Sequence, residues 1–187
     1  MSTALPELVP SPRLEIRTWC PDDAPALVAA VTANLEHLRP WMPWIAHEPA
    51  TVDDRITLFS AWEEARQAGS DVVYGLFLDG EVVGGTGFHG RIGPGGLEIG
   101  YWVTAARTRQ GIATEAARSL TEVALRRDGI DRVEIHHDQD NAASGGIPRV
   151  LGYEMVDRRA VEPTAPGESG VHWIWRLTRS AGSVIPA

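Results

Sequence analysis

Two hydrophobic periods alternate along the chain, and each marks an element. Leu14, Ile16 and Thr18 alternate with charged neighbours, the two-residue period of a strand with one buried face. Beyond Asp22 and Asp23, Leu27, Val31, Leu35 and Leu38 recur at helical spacing, which predicts one helix capped by an aspartate and stopped by Pro40. Thr51-Val52-Asp53-Asp54 reads as a capping box with Asp in place of Glu. It opens a helix carrying Val52, Ile56, Phe59 and Trp62 on one stripe, and Gly69 follows its end. Val72 to Leu78 and Glu81 to His89 are predicted strands joined by a tight turn at Asp79-Gly80. After Gly93-Pro94-Gly95-Gly96, a strand is predicted over Leu97 to Val103. A helix then runs from Gly111 to Arg127 with Ile112, Ala116, Leu120 and Ala124 on its inner face. Arg132 to His137 is a strand, and a short helix leads from the Ser144 to Pro148 region to Leu151. Tyr153 to Arg159 and Val171 to Leu177 complete the series, joined by a Pro- and Gly-rich loop from Glu162 to Gly170.

This order predicts a single α/β (α+β) domain whose central sheet has about seven strands, mostly antiparallel, with flanking helices. The unit from Leu97 to His137 crosses over through a helix and so makes one parallel pair. Residues 13–178 form the domain, with a flexible arm over 1–12 and a loose tail over 179–187.

Composition narrows the function. A chain of 187 residues with 43% apolar and 22% charged residues is an ordinary soluble domain with a real core. A formal net charge of -8 argues against broad nucleic-acid binding, which needs Lys and Arg on phosphates. It suits a cationic acceptor such as an amine, or serves solubility alone. The single cysteine, Cys20, forms no internal disulfide and points to a reducing cytoplasm. No membrane span is visible, and there is no metal-spaced Cys/His cluster. His136 and His137 are adjacent on a strand, so they face opposite ways.

Thr108-Arg109-Gln110-Gly111-Ile112-Ala113-Thr114 is the most informative segment. It lies between a strand and a helix, where the first helical amides lack partners and the dipole is positive, so a phosphate can bind the backbone. Gly111 and Ala113 keep side chains out of the way; an ordinary helix start is the plain alternative. Gly85-Thr86-Gly87-Phe88-His89-Gly90 also matches G-x-G-x-x-G, but the following Arg91-Ile92-Gly93-Pro94 cannot begin a helix. A nicotinamide or flavin site is therefore not expected there.

Taken together, these residues resemble the GNAT superfamily of CoA-dependent N-acetyltransferases. Thr108 to Ala113 lies on the family's phosphate loop, [QR]-x-x-G-x-[GA]. Asn141, Ser144, Ile147 and Leu151-Gly152-Tyr153 match N-x-x-S-x-x-[VI]-x-x-x-L-G-[FY]. Glu98-Ile99-Gly100-Tyr101-Trp102-Val103 and Leu38-Arg39-Pro40-Trp41-Met42-Pro43-Trp44 resemble the RimJ/RimL-like branch, which includes ribosomal-protein N-terminal acetyltransferases. The resemblance runs from Arg13 to Thr178. Thr108 departs from the motif, and Gly145-Gly146 falls where most members have helix formers, which suggests a late start for that helix, after Ser144.

The resemblance implies a splayed parallel pair at the fourth and fifth family strands, with the pantetheine arm of acetyl-CoA in the gap. It places the backbone of Trp102, Val103 and Thr104 against the arm, an amide near Val103 on the thioester carbonyl, and the amides of Arg109, Gln110, Gly111, Ile112, Ala113 and Thr114 on the pyrophosphate. Asn141 would bond a pantetheine amide. Ser144, with Tyr153 as runner-up, would be the acid near the thiolate; a helix cap is the other reading of Asn141 and Ser144. Glu98 is either the base toward the acceptor or a structural carboxylate, with His89 and His137 as alternatives. Trp41 and Trp44 are candidate acceptor walls, as are Trp173 and Trp175 if they are not core or dimer surface. No metal is implied.

An α-amine with a pKa near 7.7–8.0 loses only about 1 kcal/mol to deprotonation at neutral pH, against about 4.6 for a lysine. A protein N-terminus or small-molecule α-amine therefore suits a site without an evident strong base. Rival readings are another donor such as succinyl-CoA, and a non-catalytic CoA-binding sensor. A homodimer is expected by analogy. Gly111→Asp puts an anion at the phosphate site and is expected to abolish acetyl-CoA binding in calorimetry while the fold persists; unchanged affinity contradicts the loop assignment.

Overall fold

The computed structural model describes residues 5–179. One eight-stranded sheet runs in the order β1-β2-β3-β4-β5-β6-β8-β7. The strands are β1 (Leu8–Val9), β2 (Glu15–Thr18), β3 (Val72–Leu78), β4 (Glu81–His89), β5 (Gly96–Val103), β6 (Arg132–Asp138), β7 (Glu154–Ala160) and β8 (Val171–Thr178). Every neighbouring pair is antiparallel except β5 with β6, the pair joined by a helical crossover. The helices are α1 (Ala24–Thr32), α2 (Leu35–Leu38), α3 (Val52–Gln67), α4 (Ile112–Leu125) and α5 (Ala142–Val150). No helix among the described residues is long and apolar enough to cross a membrane.

The sheet divides two cores. On one face, α4 buries Ile112, Ala116, Leu120 and Ala124 against Ile99, Val133, Ile135 and Phe88. On the other, α1 and α3 bring Leu27, Val31 and Phe59 together with Trp19, Trp44 and Trp102. The predicted capping box holds: Asp54 N donates to Thr51 Oγ1 at 3.2 Å, and Thr51 N donates to Asp54 Oδ2 at 2.8 Å.

Three expectations change. The helix predicted through Leu38 breaks at Asn34, whose side chain accepts from Ala105 N at 2.8 Å and donates to Ala30 O at 2.7 Å. That tie to the loop beyond β5 turns Asn34 out of helical geometry, so α1 and α2 are separate. The arm expected to be free through residue 12 is docked from Leu5: Leu5 and Val9 are buried, β1 pairs with β2, and Tyr74 donates its hydroxyl to Pro6 O at 2.7 Å. It supplies the eighth strand. The tail expected over 179–187 lies, from residue 180 on, outside the described residues.

Glu115 pins the segment before β2 to the first turn of α4. Its carboxylate accepts from Ser11 Oγ at 2.7 Å, Arg13 N at 2.8 Å, Arg13 Nε at 2.6 Å and Leu14 N at 3.2 Å. Burial works to raise its pKa, but these bonds outweigh it and hold the carboxyl below the usual glutamate range. The stability it contributes is present above the unfolded-chain pKa near 4.3 and is lost as pH falls through the lower folded value. Glu115→Gln is expected to lower the Tm at pH 7 by about 2–6 °C. The deficit should shrink as pH is taken below about 4 in thermal unfolding followed by circular dichroism; a deficit independent of pH contradicts this role.

Candidate active site

The strand pair β5–β6 opens into a fork. Register pairs join them at Gly96–Arg132, Leu97–Val133 and Glu98–Glu134, and no further. Past that point β6 continues alongside β8, while β5 continues alongside β4. Thr104 donates its amide to Val83 O at 2.9 Å. With Gly84 opposite Val103 and Gly85 opposite Trp102, antiparallel alternation turns the Trp102 amide toward β4 as well. The backbone groups of Tyr101 and Val103 therefore point into the fork. Of the expected backbone trio Trp102, Val103 and Thr104, only Val103 faces the gap; Tyr101 takes the place of the other two, whose amides are used within the sheet.

A cavity of about 1170 Å³ occupies the α1–α3 face of the sheet and reaches the fork. Gly85, Gly87 and Gly100, on register neighbours of β4 and β5, form its floor. The glycine-rich strand that mimics a dinucleotide motif thus clears space over the sheet. Trp41, Trp44 and Trp62 wall the cavity, and the Trp44 ring lies 5.9 Å from Trp102 with a 58° tilt. Trp173 and Trp175 take no part: they project from the opposite face, where Trp175 is buried in the α4 core and Arg158 sits 4.6 Å above Trp173.

Glu98 and Glu134 stand directly opposite each other where the fork begins. Two carboxylates across a strand pair repel unless cations intervene. Here His136 lies between them, with Nε2 2.7 Å from Glu134 and Nδ1 3.4 Å from Glu98. Arg91 makes a bidentate pair with Glu98, and Arg176 does the same for one oxygen of Glu134. Burial pushes Glu134 up, but its bonds from His136 and Arg176 prevail and hold it below the usual range. Glu98 lines the cavity but is fully engaged, which favours the structural reading of this residue.

His137 is also committed. Its Nε2 accepts from Trp175 Nε1 at 2.9 Å, which leaves the proton on Nδ1 to donate to Asp138 O at 2.7 Å. Burial lowers its pKa, in keeping with a neutral ring. His89 differs: Nδ1 meets Asp71 Oδ2 at 2.8 Å, and the rest of the ring lines the cavity.

At the far side of the fork, α5 starts earlier than expected. Asn141 is its N-cap, its Oδ1 accepting from Ser144 N at 3.1 Å. The capping reading of Asn141 holds, and Asn141 and Ser144 both line the cavity. Ser144 Oγ lies 3.1 Å from the hydroxyl of Tyr101, which also approaches Ser144 O at 3.2 Å. Burial pushes the Tyr101 phenol up, so it stays protonated at neutral pH. Tyr153, the runner-up acid, is buried away from the cavity and pairs with Thr121 Oγ1 at 2.6 Å. It faces the α4 core because it follows the turn that returns the chain to the sheet. Tyr101 lies in the Glu98–Val103 segment that carries the family resemblance, but no role was expected for it; the two-residue period of β5, carried past the end of pairing, is the signal that points to it.

The loop from Arg109 to Thr114 has the geometry of an anion cradle. Arg109 and Gly111 both have left-handed backbone, at φ 58° and 78°. Among the described residues, none of the amides from Arg109 to Thr114 donates to a carbonyl outside α4. The Arg13 guanidinium, donating to Gln110 O at 3.3 Å, brings a cation to the loop from distant sequence.

A model of the GNAT acetyltransferase domain matches residues 13–154. The chain is 32% identical over 96 residues to a Bacillus subtilis (strain 168) protein, the uncharacterized N-acetyltransferase YjdG. That match covers 51% of this chain and 52% of the relative, so it spans about half the length of either protein. Among solved structures, RimL, a ribosomal L7/L12 α-N-protein acetyltransferase in complex with coenzyme A, superposes with a TM-score of 0.84 at 22% identity, covering 94% of this chain and 100% of that one. A Salmonella typhimurium acetyltransferase described as modifying the N-terminal serine of ribosomal protein L7/L12 superposes at 0.77 with 22% identity, covering 92% and 99%. Both share this fold.

The two glycines in α5 have unlike surroundings. A β-carbon on Gly145 would lie 2.8 Å from His137 Cε1 and 2.9 Å from Nε2, whereas one on Gly146 would meet nothing within 4 Å. Gly145→Ala is therefore expected to destabilise the fold by about 1–3 kcal/mol in urea unfolding. Gly146→Ala should stabilise it by up to about 1 kcal/mol. Equal effects would show that His137 does not impose the glycine.

Proposed function

The chain belongs to the GNAT acetyltransferase family, and on that premise we propose that it moves acetyl from acetyl-CoA to a primary amine by direct attack in a ternary complex. The observation that carries the reading is the fork. A strand edge with unpaired peptide groups at Tyr101 and Val103 lies between an anion cradle on one side and a cavity of about 1170 Å³ on the other. An extended amide-bearing chain can pair with such an edge as an added strand.

The residues fit the parts of acetyl-CoA in turn. The amides of Arg109 to Thr114, with the positive end of α4 behind them, suit the pyrophosphate. The Val103 amide is placed to polarise the thioester carbonyl, whose oxygen gains charge as the amine attacks. Acetyl-CoA supplies the activated acyl group. Ser144 and Tyr101 bring two hydroxyls to one side of the fork, where a departing thiolate gains from a hydrogen bond. Asn141 keeps its Nδ2 group available after capping α5. Trp41 and Trp44 shape the acceptor side.

An α-amine, on a peptide N-terminus or a small molecule, is the acceptor class. It needs only about 1 kcal/mol to be neutral at pH 7, and the cavity's Glu98 is tied to Arg91.

The test is calorimetry with acetyl-CoA, then thiol release with acetyl-CoA and peptides beginning with serine. Binding and release are expected; absence of acetyl-CoA binding overturns the reading. Ser144→Ala should lower kcat by roughly 10- to 100-fold, the low end of what a positioned proton donor supplies, with the acetyl-CoA Kd within about twofold. Equal losses in both would make Ser144 a binding or capping residue.

A further inference from the structure

We propose that His89, oriented by Asp71, receives the proton of the attacking amine. The assignment rests on the transferase reading above and names the group which that reading lacks. Asp71 is held at both oxygens: Oδ2 meets His89 Nδ1 at 2.8 Å, and Oδ1 accepts from Gly90 N at 3.0 Å. Burial works to raise Asp71, but the bonds from His89 and Gly90 prevail and keep it below the usual aspartate range. It is thus an anion throughout the neutral range. An ionised carboxylate at Nδ1 keeps the proton on that nitrogen in the neutral ring, which leaves the lone pair on Nε2.

That lone pair lies over the cavity floor. His89 Nε2 is 3.5 Å from the place where a β-carbon on Gly100 would be, ordinary contact distance, so this ring nitrogen lies directly over Gly100. Gly100 is the chain neighbour of Tyr101, whose backbone faces the fork. The imidazole therefore lies over the face that holds the acceptor cavity, above the strand that carries the Val103 amide and three residues, roughly 10 Å, before that amide.

Elimination supports the same residue. Of the histidines lining the cavity, His136 has both nitrogens facing carboxylates and His137 has both in hydrogen bonds. His172 Nε2 is shut off from solvent. His47 is exposed, with nothing to orient it. Only His89 combines a fixed orientation with a ring nitrogen available to a ligand. The charged groups around it are Asp71 on the β3 side, Glu98 opposite it on β5, and Arg91 beyond the end of β4; His136 on β6 lies behind Glu98. Arg91 engages Glu98 and so leaves Asp71 as the anion that governs the ring.

The step balances without an oxidant or further reactant. The amine nitrogen bonds to the acyl carbon, the carbon–sulfur bond breaks, and the electron pair leaves with sulfur. The proton shed by nitrogen goes to His89 Nε2 and then to solvent. Sulfur takes up a proton from the Tyr101–Ser144 hydroxyl pair or from water.

The test has two arms on the full chain. In the first, ¹⁵N–¹H long-range NMR of the imidazoles is expected to show neutral His89 with its proton on Nδ1, and Asp71→Asn should lose that preference. A proton on Nε2 in the wild type overturns the proposal. In the second, thiol release from acetyl-CoA is followed from pH 6 to 9 with peptides bearing N-terminal serine, alanine or methionine. His89→Gln is expected to lower kcat by roughly 100-fold, the ordinary share of a general base, with acetyl-CoA affinity retained. Its kcat/KM profile should keep only the limb of the amine itself, near 7.7–8.0. Full activity in His89→Gln, or an unchanged pH profile, overturns this assignment alone. A wild type that binds acetyl-CoA and acetylates none of the peptides overturns the α-amine transferase reading and this assignment with it.

Discussion

Everything functional in this molecule depends on two neighbouring strands parting company. Backbone groups in a sheet are nearly always paired, and an unpaired edge in the middle of a sheet is costly unless something satisfies it. Here β5 and β6 separate after Glu98, and the peptide groups of Tyr101 and Val103 are left facing a gap. A gap of this kind has the hydrogen-bonding demand of a missing strand. It sits where α4 presents its first amides on one side and the cavity opens on the other. The same local fact thus joins an unpaired strand edge, the free first amides of α4 and the cavity in one place.

The fork has an electrostatic hinge point. Glu98 and Glu134 face each other at the last paired position, where like charges would ordinarily weaken a sheet, and His136, Arg91 and Arg176 neutralise them. This cluster explains why the most conspicuous carboxylate near the site is ill placed for proton chemistry: releasing Glu98 would uncover a repulsion in a buried setting. It also moves attention one strand over. The three β4–β5 glycines keep the floor clear, and His89 at the end of β4 projects over it. Glu98, held by Arg91 and His136, and His89, held by Asp71, thus lie on the same sheet face with different partners.

The architecture was legible in the sequence because it rests on local rules. Alternation in Leu14 to Thr18, the Asp79-Gly80 turn, helical spacing in Ile112 to Ala124 and the Thr51 capping box each use neighbours a few residues apart. The helix break at Asn34 was not legible, since its cause is Ala105, distant in sequence. The turn with free amides from Arg109 to Thr114 could be read because glycine and small residues at a strand–helix junction have a chemical meaning of their own. Tyr153 misled, because its place in a motif says nothing about which face of the sheet it meets; Thr121 decides that. His89 stood among the alternatives for the base, but its partner Asp71 and the place of Tyr101 at the fork escaped for the same reason: each depends on contacts between strands, which only the folded chain defines. Gly145, which looked like a defect in a helix, answers to His137 on the adjoining strand β6.

The central claim is that the unpaired edge of β5 is where the acyl donor's arm lies. Amide hydrogen exchange of the full chain, resolved to single residues by NMR with and without saturating acetyl-CoA, tests it most directly. New protection is expected at the Tyr101 and Val103 amides, with Trp102 and Thr104 already protected in the free protein and little changed. Protection that appears elsewhere, or leaves Tyr101 and Val103 exchanging as before, would contradict it.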